Sequence, residues 1–171
     1  MAKVRKGCAY RRLERPYTRH SKYKRASFVK AKPNIIVVKF DMGNASKDYE
    51  EKLELKVKES IQIRQNSIEA ARQTCNRYLE KTLGKGNFHF RIRIYPHHIL
   101  RENPLASGAG ADRMSTGMKC SFGKVIGAAA QVKKGQTVLE VRYNKGQKLV
   151  AKEALRRASQ KFSCSCQTVE V

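Results

Sequence analysis

Phe88-His89-Phe90-Arg91-Ile92-Arg93-Ile94-Tyr95 alternates apolar and polar side chains along its whole length. Successive side chains of a strand point to opposite faces, so Phe88, Phe90, Ile92 and Ile94 form one dry face and His89, Arg91, Arg93 and Tyr95 the other. Pro96, which cannot donate to a sheet ladder, ends the run. The wet face is chemically selective. Two guanidinium forks, an imidazole and a phenol suit phosphate, ribose or a base. A plain solvated face is the competing reading.

The elements around this strand follow from the same periodicities. Residues 34–40, Asn-Ile-Ile-Val-Val-Lys-Phe, form a β-branched run and are expected to be a strand, broken by Gly43, Asn44 and Ser46. Leu53, Leu55 and Val57 alternate with Glu54, Lys56 and Lys58 in a second strand. A helix is expected over residues 66–83, with Ile68, Ala71, Cys75, Tyr78 and Leu79 as its apolar stripe and Gly84 as its stop. Asn66 and Glu69 have the spacing of a reciprocal cap. Residues 125–132 and 137–143 read as a hairpin around Lys133-Lys134-Gly135-Gln136. A second helix over 147–162 buries Ala151, Ala154, Leu155, Ala158 and Phe162 and carries the basic row Lys148, Lys152 and Arg156. Residues 163–171 alternate as a last strand. Strands mixed with two helices that share one sheet face predict an α+β two-layer sandwich, its sheet mixed but mostly antiparallel.

Two stretches lack a period. Residues 1–34 hold twelve Lys or Arg and one acid, Glu14, with Tyr10, Tyr17, Tyr23 and Phe28 spread among them. A disordered basic tail is the plain reading, and the aromatics favour an RNA-binding extension that orders on its partner. Its expected contacts are Arg5, Lys6, Tyr10, Arg11, Arg12, Arg15, Arg19, Lys22, Lys24 and Arg25. Residues 35–171 would then be one domain. From 97 to 118 little regular structure is expected, and over 101–118 the formal charge is zero: Arg101 and Arg113 offset Glu102 and Asp112. A neutral loop that long, with Ser107, Gly108, Gly110, Arg113 and Met114, suits reaching into a tight place.

Charge sets the class of partner. Across 171 residues, 37 Lys and Arg stand against 14 Asp and Glu, a formal net charge of +23. So much self-repulsion destabilises a compact chain unless a polyanion neutralises it. Nucleic acid fits, because each neutralised phosphate releases a condensed counterion. No run approaches the roughly eighteen apolar residues of a membrane span, and no apolar segment follows the basic start, so neither membrane nor secretion is expected. Cys8, Cys75, Cys120, Cys164 and Cys166 are odd in number and scattered, and are expected to be buried free thiols of a reducing, cytoplasmic compartment.

Enzyme signatures are missing. Gly84-Lys-Gly86 is too short for a phosphate loop, and Gly108 and Gly110 sit on no strand-to-helix turn. His97-His98 lacks a helically spaced Glu, and there is no spaced cysteine pair for a deaminase zinc. Neither an enzyme nor a cofactor or metal is expected. A free basic RNA-binding protein, a tRNA-modifying enzyme and a DNA-coating protein remain the alternatives to a structural RNA-bound protein.

Four strings occur in order: Ile68-Glu69-Ala70-Ala71-Arg72, Arg93-Ile94-Tyr95-Pro96, Asn103-Pro104-Leu105-Ala106, and Gly110-Ala111-Asp112-Arg113-Met114-Ser115-Thr116-Gly117-Met118. Together they resemble the large-subunit ribosomal protein L-sixteen family. Phe40-Asp41-Met42-Gly43-Asn44 and Cys8-Ala9-Tyr10-Arg11 are similar to its archaeal and eukaryotic branch, often called L-ten-e. The resemblance spans nearly the whole chain. It implies a sandwich bound to large-subunit rRNA between the central protuberance and the A-site side of the peptidyl transferase region. Implied partners are 5S rRNA nearby, A-site tRNA and other large-subunit proteins. It also marks Arg91, Arg93, His97, His98, Arg101, Arg113 and Met114 as functional positions, and loop 101–118 as the element that points toward tRNA. An end at Val171, without the longer tail of some eukaryotic members, points to an archaeal-type source.

Overall fold

The structure, a computed structural model, describes residues 5–18, 23, 25, 33–103, 108–110, 113 and 117–171. Among the described residues, eight strands and two α-helices follow one another as β1 (Asp41–Gly43), β2 (Glu51–Val57), β3 (Ile61–Arg64), α1 (Gln65–Leu83), β4 (Phe88–Ile92), β5 (His98–Glu102), β6 (Lys124–Val132), β7 (Thr137–Tyr143), α2 (Lys148–Ser159) and β8 (Cys166–Glu170). The α+β class expected from the alternation is what forms. The strands divide over two antiparallel sheets where one was expected: β1-β4-β7-β2-β8, and β3-β6-β5.

One face of the larger sheet is the core. Leu53, Leu55, Phe88, Phe90, Leu139, Val141 and Tyr143 pack there against Ile68, Ala71, Cys75 and Leu79 of α1 and Ala151, Ala154, Leu155 and Ala158 of α2. Ile61, Ile63, Ala130 and Val132 of the smaller sheet join the same core. Burial pushes the Cys75 thiol pKa well up. No helix among the described residues is long and apolar enough to cross a membrane.

Several local expectations change for identifiable reasons. Residues 34–40 are not a strand: Val37 reaches the core, but Ile36 and Val38 are exposed, and the pairing starts at Asp41, opposite Arg91. β-branched residues favour a strand only where a partner backbone is present. The two runs flanking Lys133–Gln136 are not a hairpin. The turn exists, closed by the Gln136 N–H on the Lys133 carbonyl at 3.1 Å, but β6 pairs with β3 and β5, and β7 with β4 and β2. α1 starts at Gln65, and Asn66 and Glu69 form no reciprocal cap, because Glu69 is held by Arg72 (2.6 and 2.8 Å) and Gln73 (2.9 Å). Gly84 ends α1 as expected, at φ 81°, with its N–H on the Glu80 carbonyl. Residues 98–102, expected to be irregular, form β5, and β3 is an additional strand.

The smaller sheet carries the molecule's least expected feature. Its outer face is crossed by the chain's own residues 10–17. The Gln62 main-chain N–H bonds the Arg11 carbonyl (3.0 Å) and its side chain bonds that of Tyr10 (2.9 Å). Gln131 donates to the Glu14 carbonyl (2.9 Å) and to Gln62 Oε1 (3.1 Å). At the far edge, the Tyr17 N–H bonds His98 Nδ1 (2.9 Å) and the Ile99 N–H bonds the Tyr17 carbonyl (3.0 Å). Gln62 and His98 are buried beneath this strap.

Candidate nucleic-acid interface

The helices cover one face of the larger sheet, so its outer face is the broad surface on which strand side chains meet solvent. Three carboxylates are set into it, each flanked by two basic side chains. Asp41 meets His89 (3.1 Å) and Arg91 (3.4 Å). Glu140, 2% exposed, meets Arg142 (2.7 Å) and Arg93 (3.7 Å). Glu54 meets Lys52 (2.5 Å) and Lys56 (3.4 Å), and the Lys52 hydrogen bond is the main reason its pKa falls to about 2. Alternation makes this arrangement: Asp41 lies opposite Arg91, Arg91 opposite Glu140, and Glu140 opposite Glu54 on adjacent strands. Five Lys or Arg against three acids leave a positive surface whose cations are held in place.

The exposed row of the deciding stretch continues past β4. Arg91, Arg93, Tyr95 and His97 are all exposed, and Tyr95 stacks on Phe40 (5.5 Å between centroids) with His97 tilted against it at 4.6 Å. Beside them opens a cleft of about 500 Å³ lined by Thr18, Pro33, Ile35, Tyr95, Pro96 and His97. Flat rings next to arginines can take an unpaired base and its phosphate together. His89 does not belong to this row: it is buried against Asp41.

Other expected contact residues are placed as follows. Arg5, Lys6, Arg11, Arg12, Arg15 and Arg25 are exposed, and Tyr10 is half-buried. Arg5 pairs with Glu102, and Arg11 lies 4.0 Å from Glu59. Arg101 stacks 3.7 Å over the Tyr17 ring. His98 is 4% exposed and leaves the surface altogether, because its ring carries the strap. On α2, Lys148 bonds Glu170 (2.8 Å), Arg156 bonds Glu153 (2.7 and 2.8 Å), and Lys152 is exposed. The Arg156 and Arg157 hydrogen bonds hold Glu153 down at about 2. Arg19, Lys22, Lys24, Ser107 and Met114 lie outside the described residues.

The two ends of the loop after β5 are held close together. Asn103 bonds the Gly117 carbonyl (3.2 Å), and Gly123, at φ 76°, sits so close to Glu102 that a β-carbon would come within 2.5 Å of its backbone. Gly108, Gly110 and Arg113 are exposed.

Cys8 is exposed rather than buried, and Cys164 and Cys166 are half-buried rather than buried, with their sulfurs 3.7 Å apart. All four described thiols are free. Among the described residues no group of three or more His, Cys, Asp or Glu could hold a metal. Sequence reasoning missed Arg142, Lys52, Lys56 and their carboxylates. The alternation of residues 137–143 placed Glu140 and Arg142 outward by the same rule that exposed Arg91 and Arg93.

Comparison with known proteins decides the class. The family model for ribosomal protein L16p/L10e matches residues 15–169. The chain belongs to this family. Three archaeal relatives, each called large ribosomal subunit protein uL16, are similar along nearly their whole length. That of Archaeoglobus fulgidus is 47% identical over 153 residues, covering 90% of this chain and 84% of the relative. That of Methanococcus maripaludis strain C7 is 45% identical, covering 89% and 88%. That of Methanococcus aeolicus is 42% identical over 166 residues, covering 97% and 93%. A member of a ribosomal-protein family is a structural protein, not an enzyme. The missing catalytic signatures are consistent with that.

Proposed function

We propose that this protein is a structural constituent of the large ribosomal subunit, bound to rRNA and to neighbouring proteins in the ribosome of the cytoplasm. Family membership across residues 15–169 carries the reading. The distribution of charge supports it: exposed cations on the strap, the sheet face and α2 would touch RNA at several points at once. If six to ten phosphates are engaged, affinity falls about a thousandfold or more between low and moderate salt. Phosphate contacts fix register without reading sequence.

The finer placement follows the family resemblance. The domain sits between the central protuberance and the A-site side of the peptidyl transferase region, with 5S rRNA nearby and A-site tRNA within reach of loop 101–118. Contacts of Asn103 and Gly123 hold the two ends of that loop together, and Arg113 is exposed on it. The loop's task is to position tRNA, with no covalent chemistry.

Sedimentation of the tagged protein through a high-salt sucrose gradient tests the assignment. Stoichiometric recovery with the large subunit is expected, and recovery at the top of the gradient overturns it. Deleting residues 106–116 should leave incorporation intact and impair tRNA accommodation. Failure to incorporate would place the loop's work in assembly instead.

A further inference from the structure

We infer that Glu140 is a positioning residue that builds, from Arg93 and Arg142, a seat for one RNA phosphodiester on the outer face of the larger sheet. This deepens the reading above and rests on it for the identity of the RNA. Glu140 is 2% exposed on its central strand, while the arginines beside it keep nearly half their side-chain surface in solvent. A carboxylate that buried persists only when charged donors surround it. Here there are two, and both approach it through Nε: Arg142 at 2.7 Å with a hydrogen bond, Arg93 at 3.7 Å as an ion pair.

That edge-on approach matters. Among the described residues, the Nη atoms of Arg142 and Arg93 have no hydrogen-bond acceptor. The guanidinium is planar and rigid, so fixing its Nε edge also fixes where the outer nitrogens can present their N–H groups. Two guanidinium groups and one carboxylate carry a net charge of +1, which one phosphodiester neutralises. Arg91, opposite Glu140 and tied to Asp41, and His89, opposite Arg142, border the same place. Without Glu140 the two arginines would repel each other and lose their common orientation. The alternative is a ladder of salt bridges that only steadies the sheet.

The two ideas predict opposite signs for one substitution. Glu140→Gln removes a negative charge from an RNA-binding face. If the arginines act merely as surface charge, the variant binds RNA more tightly. If Glu140 organises them, it binds about three- to tenfold more weakly, because charge-assisted hydrogen bonds lose their geometry. Filter binding of the full chain to deproteinised archaeal large-subunit rRNA, between about 50 and 200 mM salt, reads this directly. Arg142→Ala should weaken binding about tenfold and reduce the salt slope by about one. Arg142→Lys should keep the slope and still lose affinity, since a lysine is a point charge without the fork.

Thermal unfolding checks that each variant is folded. Should Glu140→Gln not fold, the double variant Arg93→Lys, Arg142→Lys carries the test, since it keeps every charge. Weaker binding by either route supports the seat; wild-type or tighter binding overturns it. Wild-type preference for large-subunit over small-subunit rRNA is measured alongside. The variant-to-wild-type ratio reads the seat on any RNA, so the seat and the ribosomal assignment fail separately.

Discussion

The outer faces of the two sheets treat charge in opposite ways. On the larger sheet, cations are exposed and held by carboxylates, so a surface ready for an anion exists before the anion arrives. On the smaller sheet the face is closed by residues 10–17, and the groups beneath, Gln62, Gln131 and His98, are spent on backbone hydrogen bonds. The strap's own arginines face outward over that closure. A chain of charge +23 thus presents two kinds of basic surface: one organised by acids on a rigid sheet, the other borne by a segment that hydrogen bonds tie down.

Substitutions separate the two. The largest effect is expected in the shared core. Phe90→Ala should cost about 3–5 kcal/mol, lowering the thermal midpoint and weakening hydrogen-exchange protection throughout both sheets. A loss confined to the larger sheet would mean that the two do not unfold together. Next comes the strap. Gln62→Ala leaves the Tyr10 carbonyl without its side-chain donor and should cost about 1–3 kcal/mol, with faster exchange at the amides of Tyr17 and Ile99. If those amides keep their protection, the polar ladder is not what holds residues 10–17.

Acid should part the regions in sequence. His98 has its pKa lowered, first by burial and further by Arg101, with Glu14 opposing. A base whose folded pKa lies below its unfolded value contributes stability above the unfolded value, near 6.5, and loses it as pH falls through the folded one. Protonation also fills Nδ1, the atom that accepts the Tyr17 N–H. The strap should therefore loosen as the pH falls below about 6.5, seen as faster Tyr17 amide exchange. Glu54 belongs to a later window. Its pKa is depressed from the model-peptide value of 4.5 to about 2, so its contribution is complete above 4.5 and fades as pH drops toward 2. Simultaneous loss would contradict the division. The smallest effect is Arg101→Ala, about 0.5–1 kcal/mol from the ring contact with Tyr17, visible as a slight increase in strap exchange.

The same contrast explains what could be read from sequence. The larger sheet is dry on one side and wet on the other, so β4 and β2 display the two-residue period and the helices that cover them display theirs. The smaller sheet is covered on both sides. In β3, Ile61, Gln62 and Ile63 are all buried, and in β5, His98, Ile99 and Leu100 are all buried, so burial alternates in neither; β3 does alternate by polarity, but over 4 residues only. The covering segment has no period either, because it bonds through its backbone and spreads its side chains outward. Pairing partners were equally hidden: the turn at Lys133–Gln136 is a local signal, whereas the departure of β6 and β7 into different sheets depends on distant strands. At the candidate site, Arg91, Arg93 and Tyr95 were legible from alternation alone, and His97 only from the family resemblance. His98 was not, since its burial comes from a segment more than eighty residues away in sequence.

Ultraviolet crosslinking of intact large subunits, followed by mass spectrometry of this protein, tests the central claim most directly. Nucleotide adducts are expected on the outer face of the larger sheet, on peptides containing Arg93, Tyr95 and His97 and on the one containing Arg142. Adducts confined to the amino-terminal segment, with the sheet face clean in subunits that contain the protein, would contradict it.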